Sequence, residues 1–441
     1  MTSLNAVAPD AAERASNRQI IVAAIASSLG WALDLFDLFL LLYVAPVIGR
    51  LFFPSDRPTL SLAAVYASFA VTLLMRPVGS ALFGSYADRH GRKGAMIVAV
   101  VGVGISTALF GALPTIAQVG VIAPMIFLVL RLVQGVFVGG VVASTHTIGT
   151  ESVPERWRGL MSGLVGGGGS GVGALLASLV FLIASAAFPG DAFATWGWRC
   201  MFFSGIFSSV LGLFVFNSLE ESPLWARLKA ARSGQAIPRA PLRDLFSRDY
   251  LPIFLVNLMM TIGGGAGYYL TSGYMPTFLK VVNRLPNQPT SLILIATSVV
   301  AIVVSPLIGH VSELIGRKKT FLILGLARLV LMPAGFIFMA RAGDVTTITL
   351  YALGIAFLGN AGYAPLLIFL NERFPTALRS TGTGLSWNVG FAIGGMMPTF
   401  VSLLAGSTRG LPVSLAAFLL AISVLYLIGA IIIPETKGRL A

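Results

Sequence analysis

The sequence predicts an all-α membrane protein with about twelve transmembrane helices, arranged as two pseudo-symmetric six-helix bundles. Three observations predict this fold class: an apolar composition, a regular series of long apolar runs, and motifs that occur once in each half. Of the 441 residues, 56% are hydrophobic and only 11% are charged, whereas a soluble domain averages roughly 25% charged residues. The composition therefore indicates a chain that lies mostly in lipid.

The apolar runs are long enough to cross a bilayer, which takes about 20 residues of α-helix. In the first half they are Ile20–Val44, Leu60–Phe83, Ala95–Leu113, Val121–Thr145, Leu160–Phe188 and Met201–Leu219. In the second half they are Leu251–Leu279, Ser291–Ile308, Phe321–Ala340, Thr346–Leu370, Gly382–Leu404 and Pro412–Ile433. The polar segments around them predict an N-terminal tail at 1–19, a first bundle at 20–219, a central loop at 220–250, a second bundle at 251–433 and a C-terminal tail at 434–441.

Lysines and arginines are distributed unevenly between the two sets of alternating connections. The net charge is +13, and one set holds most of the cations, including the clusters at 89–93 and 317–319. This positive-inside bias predicts a multi-pass protein of the cell (inner) membrane with both termini in the cytoplasm. Topology and contact with anionic membrane lipid therefore explain the basic charge, and nucleic-acid binding is not expected.

The reactive side chains are few and scattered. The single cysteine, Cys200, excludes a disulfide framework and Cys-based metal sites. The three histidines lie far apart in the sequence, and no nucleophile, base and orienting group occur together. We therefore expect no metal, no cofactor and no enzymatic activity. No cleavable signal peptide is expected, because the first apolar run is too long for one.

Two motifs occur once in each half at nearly the same offset. "GSYADRHGRK" (Gly84–Lys93) and "GHVSELIGRKK" (Gly309–Lys319) share G-x-x-x-[D/E]-x-x-G-R-K, and their offset is 309 − 84 = 225 residues. The pattern E-x-x-P-x-x-x-R-x-x-x-x-G begins at Glu151 and again at Glu372, at an offset of 372 − 151 = 221 residues. These repeats predict a duplicated six-helix unit, an architecture typical of secondary transporters.

The first of these loops, its second copy, "RLVQG" (Arg131–Gly135) and "PETKG" (Pro434–Gly438) together resemble the major facilitator superfamily over nearly the whole chain. Three further segments resemble the metabolite:proton symporters, which take up carboxylates and zwitterions: "LFFPSDRPT", "RPVGSALFG" and "WGWRCMFF". "LDLFD" (Leu33–Asp37) is similar to the first-helix motif of aromatic-acid and sialate/lactate-type symporters. The resemblance implies alternating access with proton coupling.

The repeated motifs supply a candidate set of gating residues on the cytoplasmic face. Their glycines allow helix ends to approach closely, and their charges can form ion pairs that hold that face shut until the two halves rock apart. The alternative is that these are solvated loop charges that only set the topology. The candidates are Gly84, Asp88, Arg92, Glu151, Arg158, Gly309, Glu313, Arg317, Glu372 and Arg379.

Two carboxylates stand in the first apolar run. Asp34 and Asp37 are three residues apart and share one helix face, where an unpaired charge costs several kcal/mol. Both are candidate proton carriers. The resemblance implies that Arg131 lies close to the acidic residue of the first helix, which pairs it with Asp37, with Asp34 as the second candidate. The alternative is a permanent structural salt bridge. Arg76 is expected to tie helix ends together, and Arg328 to snorkel or to pair locally.

Arg131 is also the candidate countercharge for a substrate anion. The other candidate binding residues are polar or aromatic side chains on helices expected to line a central cavity, and Tyr268 and Tyr269 follow a glycine-dense stretch that suits a gate. For each of them, ordinary hydrogen bonding between helices is an equally good interpretation. They are Gln134, Asn257, Tyr268, Tyr269, Asn360, Tyr363, Trp387 and Asn388.

The sequence therefore predicts a monomeric symporter that imports a small organic acid, a mono- or dicarboxylate, together with protons. A sugar or polyol symporter is the first alternative, but the amide pattern expected for sugar recognition in the fifth and seventh helices is missing. A drug/proton antiporter is the second, but its fifth-helix proline after glycine does not occur between Gly159 and Ala187. A nontransporting sensor would be expected to carry a long cytoplasmic extension.

Overall fold

A computed structural model describes the backbone of residues 17–90, 92–151, 153, 155–217, 245–374 and 376–438. Side chains are described in these ranges except at residues 17–20, 23, 84–90, 92–93, 96, 141–151, 155, 215–217 and 376–381. Every regular element of this part of the chain is a helix. The expected central loop lies largely outside the described residues, so its boundaries stay predictions.

The first half contains six membrane helices, numbered α1–α6. A short helix, Ala45–Phe52, follows α1, and the turn Ile116–Val119 precedes α4. The six helices are α1 (Asn17–Tyr43), α2 (Pro58–His90), α3 (Arg92–Ala112), α4 (Ile122–Glu151), α5 (Arg158–Ala187) and α6 (Phe193–Gly197, Trp198–Phe203 and Gly205–Asn217).

The second half contains α7–α12, and two of these helices are interrupted. Helix α7 changes from α-helix to π-helix at Tyr269–Gly273, and α10 breaks between Tyr363 and Leu366, around Pro365. The six helices are α7 (Leu251–Val282), α8 (Asn287–Ile315), α9 (Arg317–Arg341), α10 (Val345–Arg373), α11 (Thr376–Leu404) and α12 (Leu411–Ile432).

Eleven of these helices are long and apolar enough within the described residues to cross a membrane, and the twelfth, α3, contributes the shorter apolar segment Ile97–Ala112. Large apolar side chains face outward, as expected for a surface in contact with lipid: Phe207 is 79% exposed and Leu404 is 72% exposed. These observations confirm the expected all-α membrane fold.

The packing of the first half is repeated in the second. Helix α1 packs on α5, α2 on α4 and α3 on α6, while α7 packs on α11, α8 on α10 and α9 on α12. The halves meet through two equivalent contacts, α2 with α11 and α8 with α5. Each pairing in one half has its counterpart six helices later, so the predicted duplication is visible in the packing.

Local sequence signals fix several helix ends. Asp344 caps α10 by accepting the backbone N–H of Thr347 at 2.8 Å, and this bond holds the pKa of Asp344 below its ordinary value. Gly316, at the turn from α8 to α9, has φ of 101°, a backbone conformation that favours glycine. In the second copy of the repeated loop motif, this glycine therefore forms the sharp turn between the two helices.

Candidate functional site

The first acid of α1 forms an ion pair with α2. Oδ1 of Asp34 accepts from Nη2 of Arg76 at 3.1 Å, and both side chains are buried. Leu73, three residues before Arg76 on the same face of α2, packs so closely on α11 that a Cβ atom on Gly395 would lie 2.1 Å from it, which places the pair beside the second half of the molecule. The expectation that Arg76 ties helix ends together is therefore corrected, because it neutralises a carboxylate at the boundary between the halves.

The second acid of α1 faces neutral partners inside the first half. Oδ2 of Asp37 accepts from the Ser208 hydroxyl of α6 at 3.3 Å, and Thr107 of α3 lies against the same carboxylate. Among the described residues, Oδ1 of Asp37 has no hydrogen-bond partner. This carboxylate therefore lacks the close countercharge that Asp34 has.

Arg131 does not form the expected ion pair with Asp37 in the described part of the chain. Its Nη1 donates to Oε1 of Gln134 at 2.7 Å, and its guanidinium lies 4.2 Å from the ring centroid of Phe110. Gln134 in turn donates to Thr107 at 2.8 Å. The physical reason is local: an amide one turn along α4 and an aromatic face hold the guanidinium, although its charge still acts on Asp37.

An aromatic cluster lies where the two halves meet. We call Trp31, Tyr268, Tyr363, Trp387 and Phe391 the interface cluster; all five are buried. Trp31 of α1 lies 5.6 Å from Trp387 of α11, and Tyr268 of α7 stacks on Tyr363 of α10 at 5.2 Å between ring centroids. Tyr363 contacts Trp387 at 5.5 Å, and Trp31 lies one turn before Asp34 on the same face of α1. The cluster therefore adjoins the Asp34–Arg76 pair.

A small cavity lies next to this cluster and is lined from both halves. Its volume is about 20 Å³, and its walls include Tyr43 and Ser170 on one side and Tyr268, Thr297 and Asn360 on the other. Holding one water molecule takes at least about 10–15 Å³, so the cavity has room for one or two. A metabolite can enter only if the halves move apart.

The other candidate binding residues fall into two groups. Tyr268, Tyr363 and Trp387 belong to the interface cluster, Tyr269 packs against Phe391 at 6.1 Å, and Asn360 lines the cavity. Three lie elsewhere: Gln134 is inside the first half, Asn257 accepts from Arg373, and Asn388 donates to the carbonyl of Gly384.

Trp31 and Phe391 are components of this region that the sequence-based reasoning missed. Trp31 stands three residues before Asp34 and therefore on the same face of α1, which was an available signal. Its indole N–H donates to the Ser170 hydroxyl at 3.0 Å, so the ring is held in a fixed orientation beside the cavity. Phe391 gave no signal, because it is one of 29 phenylalanines.

The end of the molecule that lies away from the repeated loop motifs, which we call the opposite end, contains tyrosines that contact each other across the two halves. Tyr66 of α2 stacks on Tyr274 of α7 at 5.1 Å, and its hydroxyl donates to Thr277 at 2.8 Å. Tyr274 makes a further 2.8 Å hydrogen bond with Ser402 of α11. The contacts of Tyr66 join the two halves, and the bond to Ser402 fixes Tyr274 within the second half.

The other end, the motif end, contains the repeated loops. Arg317 at the start of α9 bonds both oxygens of Glu372 at 2.9 and 3.1 Å, and its Nη2 lies 2.6 Å from Glu313. Glu435 accepts the backbone N–H of Arg317 at 2.9 Å. Burial raises the pKa of Glu435, but bonds from backbone N–H groups, first that of Lys437, bring it below its ordinary value. This cluster ties α8, α9, α10 and the C-terminal segment together.

Contacts between the halves also close the motif end. Oε1 of Glu313 accepts the backbone N–H of Gly159 at 2.7 Å. A Cβ atom on Gly159 would lie 2.5 Å from the carbonyl oxygen of Gly309, so these two glycines permit the approach of α5 and α8. Trp157 stacks on His310 at 5.4 Å. Among the described residues, contacts between the halves are therefore present at both ends.

Several gating candidates are not covered by these observations. Arg158 is half-buried at the start of α5. The side chains of Asp88, Arg92, Glu151 and Arg379, and the surroundings of Gly84, lie outside the described residues. Their proposed roles stay predictions.

Two helical bundles meet across a central polar and aromatic site, an architecture typical of secondary transporters. The model of the Major Facilitator Superfamily matches residues 20–398, and the chain belongs to that family.

Relatives over nearly the whole chain are transport proteins. The inner membrane metabolite transport protein YhjE of Escherichia coli is 30% identical over 424 residues, covering 94% of each chain. The glycine betaine/proline/ectoine/pipecolic acid transporter OusA of Dickeya dadantii is 28% identical, covering 94% of this chain and 83% of its own length.

The fold has a close counterpart among solved structures. The xylose transporter XylE from Escherichia coli superposes with a TM-score of 0.70 at 19% identity, covering 96% of this chain and 99% of XylE. At this identity the likeness establishes the fold alone.

Proposed function

We propose that the chain imports a small organic carboxylate together with a proton, and that zwitterions with a methylated ammonium group are its first candidate substrates. The observation that carries this proposal is the position of the interface cluster: aromatic rings from both halves adjoin a buried arginine–carboxylate pair. A substrate with a carboxylate at one end and a cation at the other matches both features.

The arginine that meets the substrate in this proposal is Arg76 rather than Arg131. Nε of Arg76 is buried without a hydrogen-bond partner among the described residues, so the guanidinium retains a donor for a second carboxylate. Guanidinium groups bind carboxylates through two parallel hydrogen bonds. Arg131 also has donors without a partner among the described residues, Nε and Nη2, but Gln134 holds it inside the first half rather than beside the interface cluster.

The cationic end of the substrate is assigned to the aromatic rings. Trp and Tyr faces attract quaternary ammonium groups, and each such contact is worth about 0.5–2 kcal/mol depending on desolvation. Trp31 and Trp387 belong to different halves, so a cation held between them would draw the halves together. Relatives named as proline and glycine betaine transporters support this choice of substrate class.

Proton coupling follows from competition at Arg76. A substrate carboxylate that takes hydrogen bonds from Arg76 leaves Asp34 with a weaker partner in a site shielded from water. An unpaired carboxylate in such a place is costly, so Asp34 takes up a proton as the substrate binds. Asp37 is the second proposed proton site, through its hydroxyl partners in the first half.

Uptake into proteoliposomes tests the substrate class. The matched probes are glycine betaine and tert-butylacetate, which have the same shape and carboxylate but differ in the cationic nitrogen. We expect glycine betaine to accumulate with an inward proton gradient and to stop when a protonophore is added, and tert-butylacetate to compete weakly. Equal uptake of both would reduce the proposal to a carboxylate site without cation recognition. Accumulation of D-xylose alone would favour the sugar alternative.

The motif end is proposed to act as the cytoplasmic latch of alternating access. Glu313 connects Arg317 of its own half to the backbone of Gly159 in the other half, so it must release Gly159 when that end opens. We expect Glu313→Gln to change the maximal rate several-fold while leaving substrate affinity within about threefold, because the latch does not contact the substrate. An unchanged maximal rate at a saturating gradient would show that Glu313 is not part of a latch and only helps to set the membrane topology.

A further inference from the structure

A third arginine of the membrane region, Arg328 of α9, is fully buried and has no carboxylate partner among the described residues. It does not snorkel to the surface but pairs locally, which is the second of the two arrangements expected from the sequence. Its Nη2 donates to the carbonyl oxygen of Gly263 in α7 at 3.1 Å, and its guanidinium lies 4.5 Å from the ring centroid of Tyr426 in α12. A buried cation is costly unless its partners compensate it, so the guanidinium depends on keeping its positions relative to this carbonyl and this aromatic ring.

Glycines in two helices make room for this guanidinium. A Cβ atom on Gly267 of α7 would lie 1.7 Å from Nη2, and one on Gly362 of α10 would lie 2.5 Å from Nη1. The hydroxyl of Tyr426 donates to the carbonyl oxygen of Gly362 at 2.9 Å. The side chain of Arg328 therefore fills the space between α7 and α10 at these glycines.

Each of these glycines is followed directly by a tyrosine of the interface cluster. Tyr268 follows Gly267, Tyr363 follows Gly362, and the two rings stack at 5.2 Å with 23° between their planes. Both helices are interrupted just beyond this point, α7 by its π-helical segment and α10 by Pro365. Kinks at π-segments and prolines are where helices bend.

We infer that Arg328 is a positioning residue that holds α7 and α10 in register at their break points and so sets the Tyr268–Tyr363 pair of the substrate site. The segments beyond the breaks can move while Arg328 and its contacts stay fixed, because moving the guanidinium would leave a buried cation without its partners. The part of this inference that concerns the substrate rests on the proposed function. The part that concerns helix spacing does not.

A disulfide measures the helix spacing without altering either tyrosine. A Cβ atom on Gly359 of α10 would lie 3.2 Å from Cβ of Thr271 in α7, near the roughly 3.5–4.5 Å that a disulfide requires. The reporter is Thr271→Cys with Gly359→Cys in a Cys200→Ala background, which removes the native thiol. Oxidative crosslinking is followed in the parent and with Arg328→Met, an unbranched apolar replacement.

We expect Arg328→Met to slow crosslinking about fivefold, the size expected from the loss of one hydrogen bond. Gly362→Ala displaces the guanidinium while keeping the arginine, and it should slow crosslinking as well. Arg341→Gln, at the exposed end of the same helix, is the matched control and should crosslink like the parent. Equal rates in the parent and in whichever of Arg328→Met and Gly362→Ala folds would overturn the inference.

Uptake kinetics test the link to the substrate. With glycine betaine as the probe, Arg328→Met should raise KM about tenfold, within the range for coupling through packed side chains, and leave the maximal rate per folded transporter within about threefold. A merely structural role would lower the amount of folded protein and leave KM unchanged, and that result would overturn the inference. If the wild type takes up no glycine betaine, the proposed substrate is wrong, and the crosslinking rates alone decide the positioning role.

Discussion

Two acids on the same face of one helix have different surroundings. Asp34 pairs with Arg76 at the boundary between the halves, at 3.1 Å, whereas Asp37 faces Ser208 inside the first half at 3.3 Å. Both are buried, and each has an arginine in its vicinity. What separates them is the partner of the arginine: Arg76 bonds a carboxylate, while Arg131 bonds the amide of Gln134.

The difference teaches that proximity in a bundle does not decide which charges interact. Arg131 has an amide one turn away on its own helix and an aromatic face beside it, so it is held without a carboxylate. Among the described residues, Arg76 has the carboxylate of Asp34 as its partner. The Asp34–Arg76 pair at the boundary is therefore placed to exchange partners with a substrate. The inner group, which consists of Asp37, Thr107, Arg131 and Gln134, is placed to hold the first half together.

The largest effect is expected from removing the cation at the boundary. Arg76→Met leaves Asp34 buried without its countercharge, a change that costs about 3–5 kcal/mol in buried ion pairs. We expect gradient-driven uptake of glycine betaine to fall below detection, measured per folded transporter in proteoliposomes. Uptake at the wild-type level would show that the Asp34–Arg76 pair is dispensable and would contradict the difference in role between the two acids.

The acids themselves give the next largest effect. Asp34→Asn should abolish accumulation against a gradient but spare exchange of labelled for unlabelled substrate, since exchange does not require proton release. Asp37→Asn should reduce accumulation less, because its partners are hydroxyl groups that an amide can also bond. The two assays are run side by side. A stronger coupling defect in Asp37→Asn than in Asp34→Asn would reverse the assignment.

The fold could be predicted from the sequence, whereas the partners of the buried charges could not. Apolar runs and the two repeated motifs determine the helices, their number and their duplication, because lipid imposes a strict length and polarity on each span. The partner of Arg131 depends on rotamers of Gln134, Phe110 and neighbouring helices, which no spacing in the sequence encodes. The same limit applies to Arg328, whose niche is formed by glycines in two distant helices.

A smaller effect is expected from freeing Arg131. Gln134→Leu removes the amide that holds the guanidinium, and a hydrogen bond to a charged group is worth about 1.5–3 kcal/mol. We expect a lower thermal stability in detergent with glycine betaine affinity within about threefold of wild type, since loss of this bond leaves the boundary site intact. A large loss of affinity would show that the inner group also contacts the substrate.

The smallest effect is expected at Ser208. Ser208→Ala removes one donor to Asp37, which corresponds to about 0.5–1.5 kcal/mol for an ordinary hydrogen bond. Transport should remain near the wild-type level, with a small change in its pH profile as the measurable sign. Ser209→Ala, which loses hydroxyl contacts with backbone carbonyls of α3, is the matched control and should leave the pH profile unchanged.

The most direct measurement is equilibrium binding of glycine betaine to the wild type, Arg76→Lys and Arg131→Lys by calorimetry in detergent. Lysine keeps the charge but cannot reproduce two parallel hydrogen bonds to a carboxylate. If Arg76 holds the substrate carboxylate, Arg76→Lys should weaken binding by about 1–3 kcal/mol, while Arg131→Lys should bind within about threefold of wild type. Wild-type affinity in Arg76→Lys together with weakened binding in Arg131→Lys would contradict the account and return the substrate to the inner arginine.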